Sequence, residues 1–237
     1  MELLRLRKRS PLAMARYARR HTRHYARAYA GWDGATFEDL PLLTKVEARR
    51  LSPYDLLARP LADKVFLYGE TTGSSGSPTP SFFTRGEFHA ATLLARITPY
   101  QAGLRGALAA NRTCVNGLAF GFTVAGMSFG DVLANLGGLV ANVGSRSTLA
   151  TPRRIARCIA RLRPSVIAAA PCDFLAWMRI LRDEHPSDHD AVVARLRVLL
   201  STAELCAASR VKRIAEHFDI VHIDVYACVE GFFSLPC

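Results

Sequence analysis

Nine consecutive residues, Thr71–Thr79, are all glycine, serine, threonine or proline, and they follow a mostly apolar run at 64–68. Backbone N–H groups of small residues can approach a phosphate closely, and serine or threonine hydroxyls add further donors. The stretch has neither the Gly-Lys-Ser/Thr end of a Walker A loop nor the Gly-x-Gly-x-x-Gly spacing of dinucleotide-binding folds. Composition alone leaves two interpretations open, a flexible surface linker and a phosphate-binding loop.

The order of these residues favours the phosphate-binding loop. The stretch TTGSSGSPT resembles the phosphate-binding signature of the adenylate-forming superfamily, which includes acyl- and aryl-CoA synthetases, adenylation domains and luciferases. That signature is a hydroxyl pair, Gly, a hydroxyl pair, Gly, any residue, Pro, and then Lys or Thr. Every position agrees. Thr79 stands where most of the superfamily has Lys and where the phenylacetate-CoA ligase branch often has Thr.

Further segments resemble elements of the same family, in the expected order, from about Gly31 onwards. The first resembles the element that precedes the phosphate loop in the phenylacetate-CoA ligase branch, and the second resembles the glycine- and aromatic-rich lining of the acyl pocket. The segments are DLPLLTKVEAR, NGLAFGFTVAGMSFGDVLANLGGLVANVG, RLRPSVIAAAP, LRVLLSTAEL and DVYACVEG.

The resemblance implies ATP-dependent attack of a carboxylate on the α-phosphorus, which gives an acyl-adenylate, and then transfer of the acyl group to coenzyme A. The acid expected for this branch is an aryl or arylacetic acid. ATP, Mg²⁺ and coenzyme A are therefore the expected cofactors. The residues that the resemblance assigns are Thr71, Thr72, Gly73, Ser74, Ser75 and Gly76 for the β- and γ-phosphates, Ala203, Glu204 and Tyr226 for the adenylate, Phe120, Phe122 and Phe129 for the acid pocket, and Glu230 for Mg²⁺ and catalysis.

Several of these residues also have purely structural explanations. The three phenylalanines can be ordinary core residues, because aromatic side chains usually pack in the interior. Glu204 can cap the helix that follows it, and Glu230 can be a solvated loop acid. These alternatives stay open beside the functional ones.

The chain departs from the family pattern at two positions near the adenylate. Val229 stands where the family has a threonine hydroxyl, and Thr202 stands where it has a glycine. The family also continues beyond Glu230 with an aspartate for the ribose and a small C-terminal domain that carries a catalytic lysine. We therefore consider two hypotheses: a ligase completed by a C-terminal region, or a non-catalytic, degenerate fragment that binds a nucleotide or an acid.

Positive charge is concentrated at the start of the chain. Residues 1–30 hold nine arginine or lysine residues against Glu2, which accounts for +8 of the net charge of +11. A basic, acid-poor segment can be a transit peptide, a nucleic-acid or membrane contact, or a solvated helix. We favour the solvated helix, with Leu12, Tyr17, Tyr25 and Tyr29 touching the domain, because charge runs are usually solvated faces. A nucleic-acid partner is accordingly not expected.

The six cysteines are scattered without a C-x-x-C pair, and the seven histidines form no convincing ligand spacing. Neither a disulfide framework nor a zinc site is expected, and the predicted setting is a reducing cytoplasm without a membrane span.

The expected partners are a small carboxylic acid and a nucleotide. A separate chain carrying the C-terminal domain, or a second copy of this chain, is a further candidate.

Apolar strands alternate with amphipathic helices along the body of the chain. The segment TPRRIARCIARLRP predicts a helix capped by Thr151, and SVIAAAP predicts a buried strand after it. This alternation predicts an α/β fold with largely parallel sheet flanked by helices, resembling the large N-terminal domain of adenylate-forming enzymes. The predicted organisation is a basic helical segment at 1–30 and an AMP-binding domain at 31–237.

Overall fold

A computed structural model describes residues 10–71, 77–90 and 101–228. The chain divides into two compact units, Met1–Arg85 and Gly86–Cys237. The predicted division at residue 31 stays a prediction. The elements of the first unit are helices α1 Pro11–His21, α2 Arg23–Ala28 and α3 Lys45–Arg50, 3₁₀ helices Pro53–Asp55 and Arg59–Lys64, and strands β1 Val65–Glu70 and β2 Pro80–Thr84.

The basic segment is helical from Pro11, as predicted. The Ser10 hydroxyl caps α1 by accepting from the Ala13 N–H at 3.2 Å. A small core of Ala15, Tyr29 and Trp32 forms beside it. The Arg19 guanidinium donates to the carbonyls of Trp32 and Ala30 at 2.7 and 3.0 Å. Some of the positive charge of this segment therefore serves to hold the chain that follows it.

A capping box formed by Thr44 and Glu47, which have the Ser/Thr-x-x-Glu spacing, is present at the start of α3. The Glu47 N–H donates to the Thr44 hydroxyl at 3.2 Å, and the Thr44 N–H donates to the Glu47 carboxylate at 2.9 Å. This reciprocal pair satisfies two N–H groups that the first helical turn would otherwise leave unpaired.

The strand before the hydroxyl-rich loop differs from the prediction. The sequence predicted largely parallel sheet, but β1 pairs antiparallel with β2, with Glu70 opposite Pro80. The loop therefore connects the two strands of a hairpin. Strand β2, which contains the apolar residues Phe82 and Phe83, was not predicted from the sequence. Residues 85–90 after it are helical.

The second unit is an α/β sandwich. Its strands all run parallel in the order β4-β3-β5-β6-β7. The strands are β3 Thr113–Asn116, β4 Leu139–Asn142, β5 Val166–Ala169, β6 Val198–Ser201 and β7 Val221–Asp224, and the helices are α4 Gln101–Ala110, α5 Ala125–Asn135, α6 Pro152–Leu162, α7 Pro171–Glu184, α8 Pro186–Val193 and α9 Ala208–Phe218. The α/β prediction is confirmed.

Alternate residues of the strands form two cores on opposite faces of this sheet. Val115, Ile167 and Leu199 pack with the helices α6, α7 and α9 on one face. Cys114 and Ala168 belong to the other core, with α4 and α5. The central strands β5 and β6 are buried along their whole length, which explains their continuous apolar sequences.

The chain reverses its direction across the sheet between β3 and β5. From β3 it moves outward to β4 through α5, and from β4 it returns past β3 to β5 through α6. Loops after β3 and β5 therefore leave toward opposite faces of the sheet. In open α/β sheets, such a reversal point at the carboxyl ends of the strands is the usual position of a ligand.

Candidate functional site

The hydroxyl-rich loop is closed at its base by two hydrogen bonds between Thr71 and Thr79. The Thr71 N–H donates to the Thr79 carbonyl at 3.1 Å, and the Thr79 N–H donates to the Thr71 hydroxyl at 2.9 Å. Thr79 is 6% exposed, and its own hydroxyl has no hydrogen-bond partner among the described residues. A buried hydroxyl of this kind is a ready donor for a ligand oxygen. Thr72, Gly73, Ser74, Ser75 and Gly76 lie outside the described residues.

The other assigned residues that the structure describes lie in the second unit, and most of them follow the carboxyl ends of its strands. Ala203 and Glu204 follow β6, Tyr226 follows β7, and Phe120 and Phe122 belong to the loop after β3. Parallel strands end at the same edge of a sheet, so these three segments share one edge. Glu230, the residue assigned to Mg²⁺, lies outside the described residues.

The aromatic segment is anchored by the side chain of Asn116 at the end of β3. Its amide donates to the Gly126 carbonyl at 2.7 Å and to the Asn142 side chain at 2.9 Å, while its oxygen accepts from the Leu118 N–H at 3.3 Å. These bonds tie the ends of β3 and β4 to the start of α5.

The three candidate pocket phenylalanines do not share one environment. Phe120 and Phe122 are 39% and 68% exposed, whereas Phe129 is buried in the core beneath α5. The structure therefore places Phe129 in the packing role that its residue type also allowed. The acid-pocket role of all three stays a prediction. Tyr226 is 68% exposed, which leaves its ring accessible.

Glu204 caps a helix, but not the one that follows it. Its carboxylate accepts from the Cys172 N–H at 2.8 Å, in the first turn of α7. Arg210 lies 3.7 Å from the same carboxylate oxygen, and the Glu204 side chain is 20% exposed. A carboxylate at a helix N-terminus interacts favourably with the helix dipole and satisfies an unpaired N–H. The capping alternative is therefore realised on the helix between β5 and β6.

The backbone at Ala203 has a φ of 74°, in the left-handed region. This conformation suits glycine and is unfavourable for alanine because of its Cβ atom. The sequence comparison placed the missing glycine one residue earlier, at Thr202. The structure puts the unusual backbone at Ala203, so the local strain falls on the residue directly before the Glu204 cap.

A buried polar cluster, not predicted from the sequence, joins the ends of β6 and β7. The Ser201 hydroxyl donates to the Asp224 carboxylate and lies 2.8 Å from Nε2 of His222. Ser201 is fully buried, and it is the register partner of Asp224 in the sheet. The signal in the sequence is the alternation of His222 and Asp224 with apolar residues, which points both side chains to the same face of β7.

The hydrogen count in this cluster places a hydrogen on Nε2 of His222. Ser201 has one hydroxyl hydrogen, which goes to the acceptor-only carboxylate of Asp224, so Nε2 of His222 carries the hydrogen that reaches Ser201. Burial lowers the pKa of His222, while the Val211 carbonyl, 3.3 Å from Nδ1, and Asp224 oppose that shift. Because the Val211 carbonyl can only accept, the contacts of both ring nitrogens favour a protonated ring, and burial opposes them.

Two kinds of site are absent from the part of the chain that the structure describes. No three His, Cys, Asp or Glu side chains there are grouped as metal ligands would be. No helix within residues 10–71, 77–90 and 101–228 has the length and apolar composition needed to cross a membrane.

No protein-family model matches this sequence, and no curated protein matches it. Solved structures do match. A 2-hydroxyisobutyryl-CoA ligase in the postadenylation state with 2-HIB-AMP aligns with a TM-score of 0.71 over 93% of this chain and 47% of its own, at 16% identity. The same enzyme with 2-HIB-AMP and CoA in the thioesterification state aligns with a TM-score of 0.70 over 96% and 52%, at 17% identity.

The fold is that of part of an acyl-CoA ligase. An ATP-bound RpMatB-BxBclM chimera also aligns, with a TM-score of 0.51 over 76% of this chain and 32% of its own, at 12% identity. The chain spans about half the length of the 2-hydroxyisobutyryl-CoA ligase structures. These neighbours agree with the adenylate-forming resemblance at the level of the fold, and the phenylacetate-CoA ligase branch stays a prediction.

Proposed function

We propose that the chain is the front part of a ligase that activates a carboxylic acid with ATP and transfers the acyl group to coenzyme A. The reaction passes through an acyl-adenylate and needs the C-terminal region that the resemblance predicts. An aryl or arylacetic acid is the proposed substrate, because Thr79 and the segment DLPLLTKVEAR follow the pattern of the phenylacetate-CoA ligase branch.

The agreement between the loop signature and the fold is the main support for this proposal. The nine-residue signature at Thr71–Thr79 fits the superfamily at every position, and the fold over more than nine-tenths of the chain is that of an acyl-CoA ligase. The signature and the fold are independent of each other, because a short loop motif contributes little to the alignment of a whole chain. Their agreement favours nucleotide activation over a linker.

The proposed roles follow the resemblance and elementary phosphate chemistry. Thr71, Thr72, Gly73, Ser74, Ser75 and Gly76 bind the β- and γ-phosphates with backbone N–H groups and hydroxyls, and Glu230 holds Mg²⁺, which prefers carboxylate oxygen. Positioning the carboxylate and neutralising phosphate charge are the main contributions that a protein makes to such a step.

A second candidate is binding without catalysis. The contacts of the Glu204 carboxylate favour it. This carboxylate already accepts a hydrogen bond from the Cys172 N–H and faces Arg210. Its capacity to contact an adenylate is therefore reduced. Val229 likewise lacks the hydroxyl that the family places near the phosphate. In this case the chain binds a nucleotide or an acid and does not turn it over.

Nucleotide binding tests the phosphate-loop assignment. We expect MgATP to bind the full chain and Gly73→Val to weaken binding at least tenfold, because a side chain there obstructs the approach of the backbone to phosphate. Gly31→Val is the matched control, since a Cβ at Gly31 meets nothing within 4 Å. Isothermal titration calorimetry gives both affinities. Equal MgATP affinity in the wild type and in Gly73→Val would reject the assignment.

Pyrophosphate exchange separates the two candidates. We expect ATP–pyrophosphate exchange with at least one member of a panel of aryl and arylacetic acids, and its loss in Glu230→Ala. Glu216→Ala is the control, because Glu216 is an exposed helix residue paired with Lys212 at 3.6 Å. MgATP binding without exchange on any acid would favour the non-catalytic candidate.

A further inference from the structure

An arginine-rich groove lies between α6 and α8 in the second unit. Its main part has a volume of about 700 Å³ and continues into a smaller part of about 370 Å³, and the two share Arg161 and Asp188 in their walls. We propose that this groove is a binding site for a small anion that carries two or more phosphate groups.

The groove lies away from the carboxyl edge of the sheet. Helix α6 starts after the loop that leaves β4 and ends at Leu162, just before β5 begins at Val166. Asp188 lies in α8, which follows the end of α7, and Arg195 precedes the start of β6. These segments meet at the amino edge of the parallel strands. The groove is therefore distinct from the residues that follow β3, β6 and β7.

The charge of the groove is strongly unbalanced. The two parts together contain five arginines and one aspartate, a net charge of +4 with His185 neutral. Each phosphate monoester carries about −1.5 to −2 at neutral pH, so two or three phosphate groups neutralise this charge. The arginines are Arg154, Arg157, Arg161, Arg163 and Arg195.

Several of these arginines have no anionic partner within the described part of the chain. Arg163 faces Asp188 at 3.8 Å and Arg154 donates to the Leu149 carbonyl at 3.0 Å. The side chains of Arg157, Arg161 and Arg195 make no ion pair or hydrogen bond with any described residue. Elsewhere on the same unit, some exposed cations pair with acids, as in the Arg153–Glu184 and Lys212–Glu216 pairs at 2.9 and 3.6 Å.

The spacing of the arginines on α6 costs stability unless an anion is present. Arg154, Arg157 and Arg161 are three and four residues apart, which places them on one face of the helix. Like charges at this spacing repel each other. Bound phosphates remove the repulsion, and the planar guanidinium fork matches two phosphate oxygens at once.

The lining favours a small molecule over a nucleic acid strand. Among the described residues, no Phe, Tyr or Trp side chain lines either part of the groove, so it lacks the row of aromatic platforms on which successive bases stack. The volume of the main part is that of a typical ligand pocket. Cys158, Ala160 and Leu162 form an apolar part of the lining that an organic group attached to the phosphates can cover.

Inorganic triphosphate is the probe for the first experiment, with the full chain carrying Gly73→Val so that the hydroxyl-rich loop does not contribute. We expect calorimetric binding at low salt, weakened at least tenfold by Arg157→Ala with Arg161→Ala, because two unpaired guanidinium groups are lost. Arg179→Ala with Arg213→Ala removes the same charge from exposed positions outside the groove, and we expect it to change affinity less than twofold.

Alkylation of cysteine locates the ligand independently of affinity. Cys158 lines the groove, where burial raises the pKa of its thiol and the charges of Arg161 and Arg154 oppose that shift. Cys206 does not line it. We expect triphosphate to slow alkylation of Cys158 by N-ethylmaleimide and to leave that of Cys206 unchanged, as measured by peptide mass spectrometry.

Three results overturn the proposal. The first is no triphosphate binding to the full chain. The second is an equal loss of affinity in the two double variants, which would indicate a response to overall charge. The third is a single-stranded oligonucleotide that binds more tightly than triphosphate and loses affinity in the Arg157/Arg161 variant, which would assign the groove to nucleic acid.

Discussion

The Glu204 carboxylate accepts a hydrogen bond from the Cys172 N–H at 2.8 Å and so joins the loop after β6 to the first turn of α7. The two residues are 32 positions apart in sequence. The contact exists because β5 and β6 are parallel neighbours whose carboxyl ends lie side by side. A residue that the family resemblance assigns to the adenylate thus also holds the scaffold together.

Replacing Glu204 by glutamine tests this structural role. We expect Glu204→Gln to lower the free energy of unfolding by about 1 kcal/mol, because the cap loses its charge at the helix N-terminus. Urea denaturation gives the difference. Glu216→Gln, at an exposed position, is the control. An unchanged stability together with weaker nucleotide binding would show that Glu204 acts on the ligand and not on α7.

Replacing Ala203 by glycine should stabilise the protein. With a φ of 74°, alanine bears the left-handed penalty of about 1–2 kcal/mol, only part of which the extra unfolded-state entropy of glycine offsets. We expect Ala203→Gly to raise the unfolding free energy by about 0.5 kcal/mol. Ala194, with a φ of −59°, is the control, and Ala194→Gly should be destabilising. If both variants changed the unfolding free energy in the same direction, the left-handed backbone at Ala203 would be contradicted.

Gly117 is required by the ring of Trp177. A Cβ built at Gly117 would lie 2.3 Å from the Trp177 ring, which is 1% exposed and cannot move aside. We expect Gly117→Ala to lower stability by about 1–3 kcal/mol through overpacking. Thermal unfolding measures the loss. Gly106→Ala is the control, because a Cβ there meets nothing within 4 Å and alanine favours the helix.

A double variant shows whether this contact is the cause. Trp177→Leu removes the ring, so Gly117→Ala should cost much less in that background than in the wild type. Strict additivity of the two changes would place the cost of Gly117→Ala elsewhere.

His222 should make the fold sensitive to acid. Burial lowers the pKa of His222 below that of the unfolded chain, so the unfolded chain binds the proton first. The stability from a neutral His222 is therefore complete above the unfolded pKa of about 6.5 and is lost as pH falls toward the folded pKa. Urea denaturation between pH 7.5 and 5 should show a smaller pH dependence for His222→Gln. The exposed His217→Gln should resemble the wild type.

Thr79 offers a way to separate ligand binding from folding. Its buried hydroxyl lacks a partner among the described residues, so the isosteric Thr79→Val should not lower the unfolding free energy. Under the proposed function, the same change should weaken MgATP binding about fivefold to tenfold, the usual effect of one lost hydrogen bond. Thr71→Val is the contrast, because it removes the acceptor of the Thr79 N–H and should destabilise the hairpin. A Thr79→Val protein with wild-type MgATP affinity would remove this residue from the phosphate site.

Local chemistry was the most predictable part of the molecule. The Thr151 cap of α6 joins residues three apart and is present as expected, and the capping box at Thr44 joins residues at the same spacing. The parallel sheet was predictable as well, because β5 and β6 are short apolar runs between amphipathic helices. The hairpin was not predicted, since β1 alone carries no sign of whether its partner is parallel or antiparallel.

By itself, the sequence determined the local elements, the nine-residue signature and the α/β class, because capping, periodicity and loop motifs depend on neighbours within a few residues. Only the tertiary structure decided what Glu204, Ser201 and His222 contact, and which arginines line the groove beside α6. Those contacts join residues that are distant along the chain, and they form only once the order and register of the strands bring their ends together.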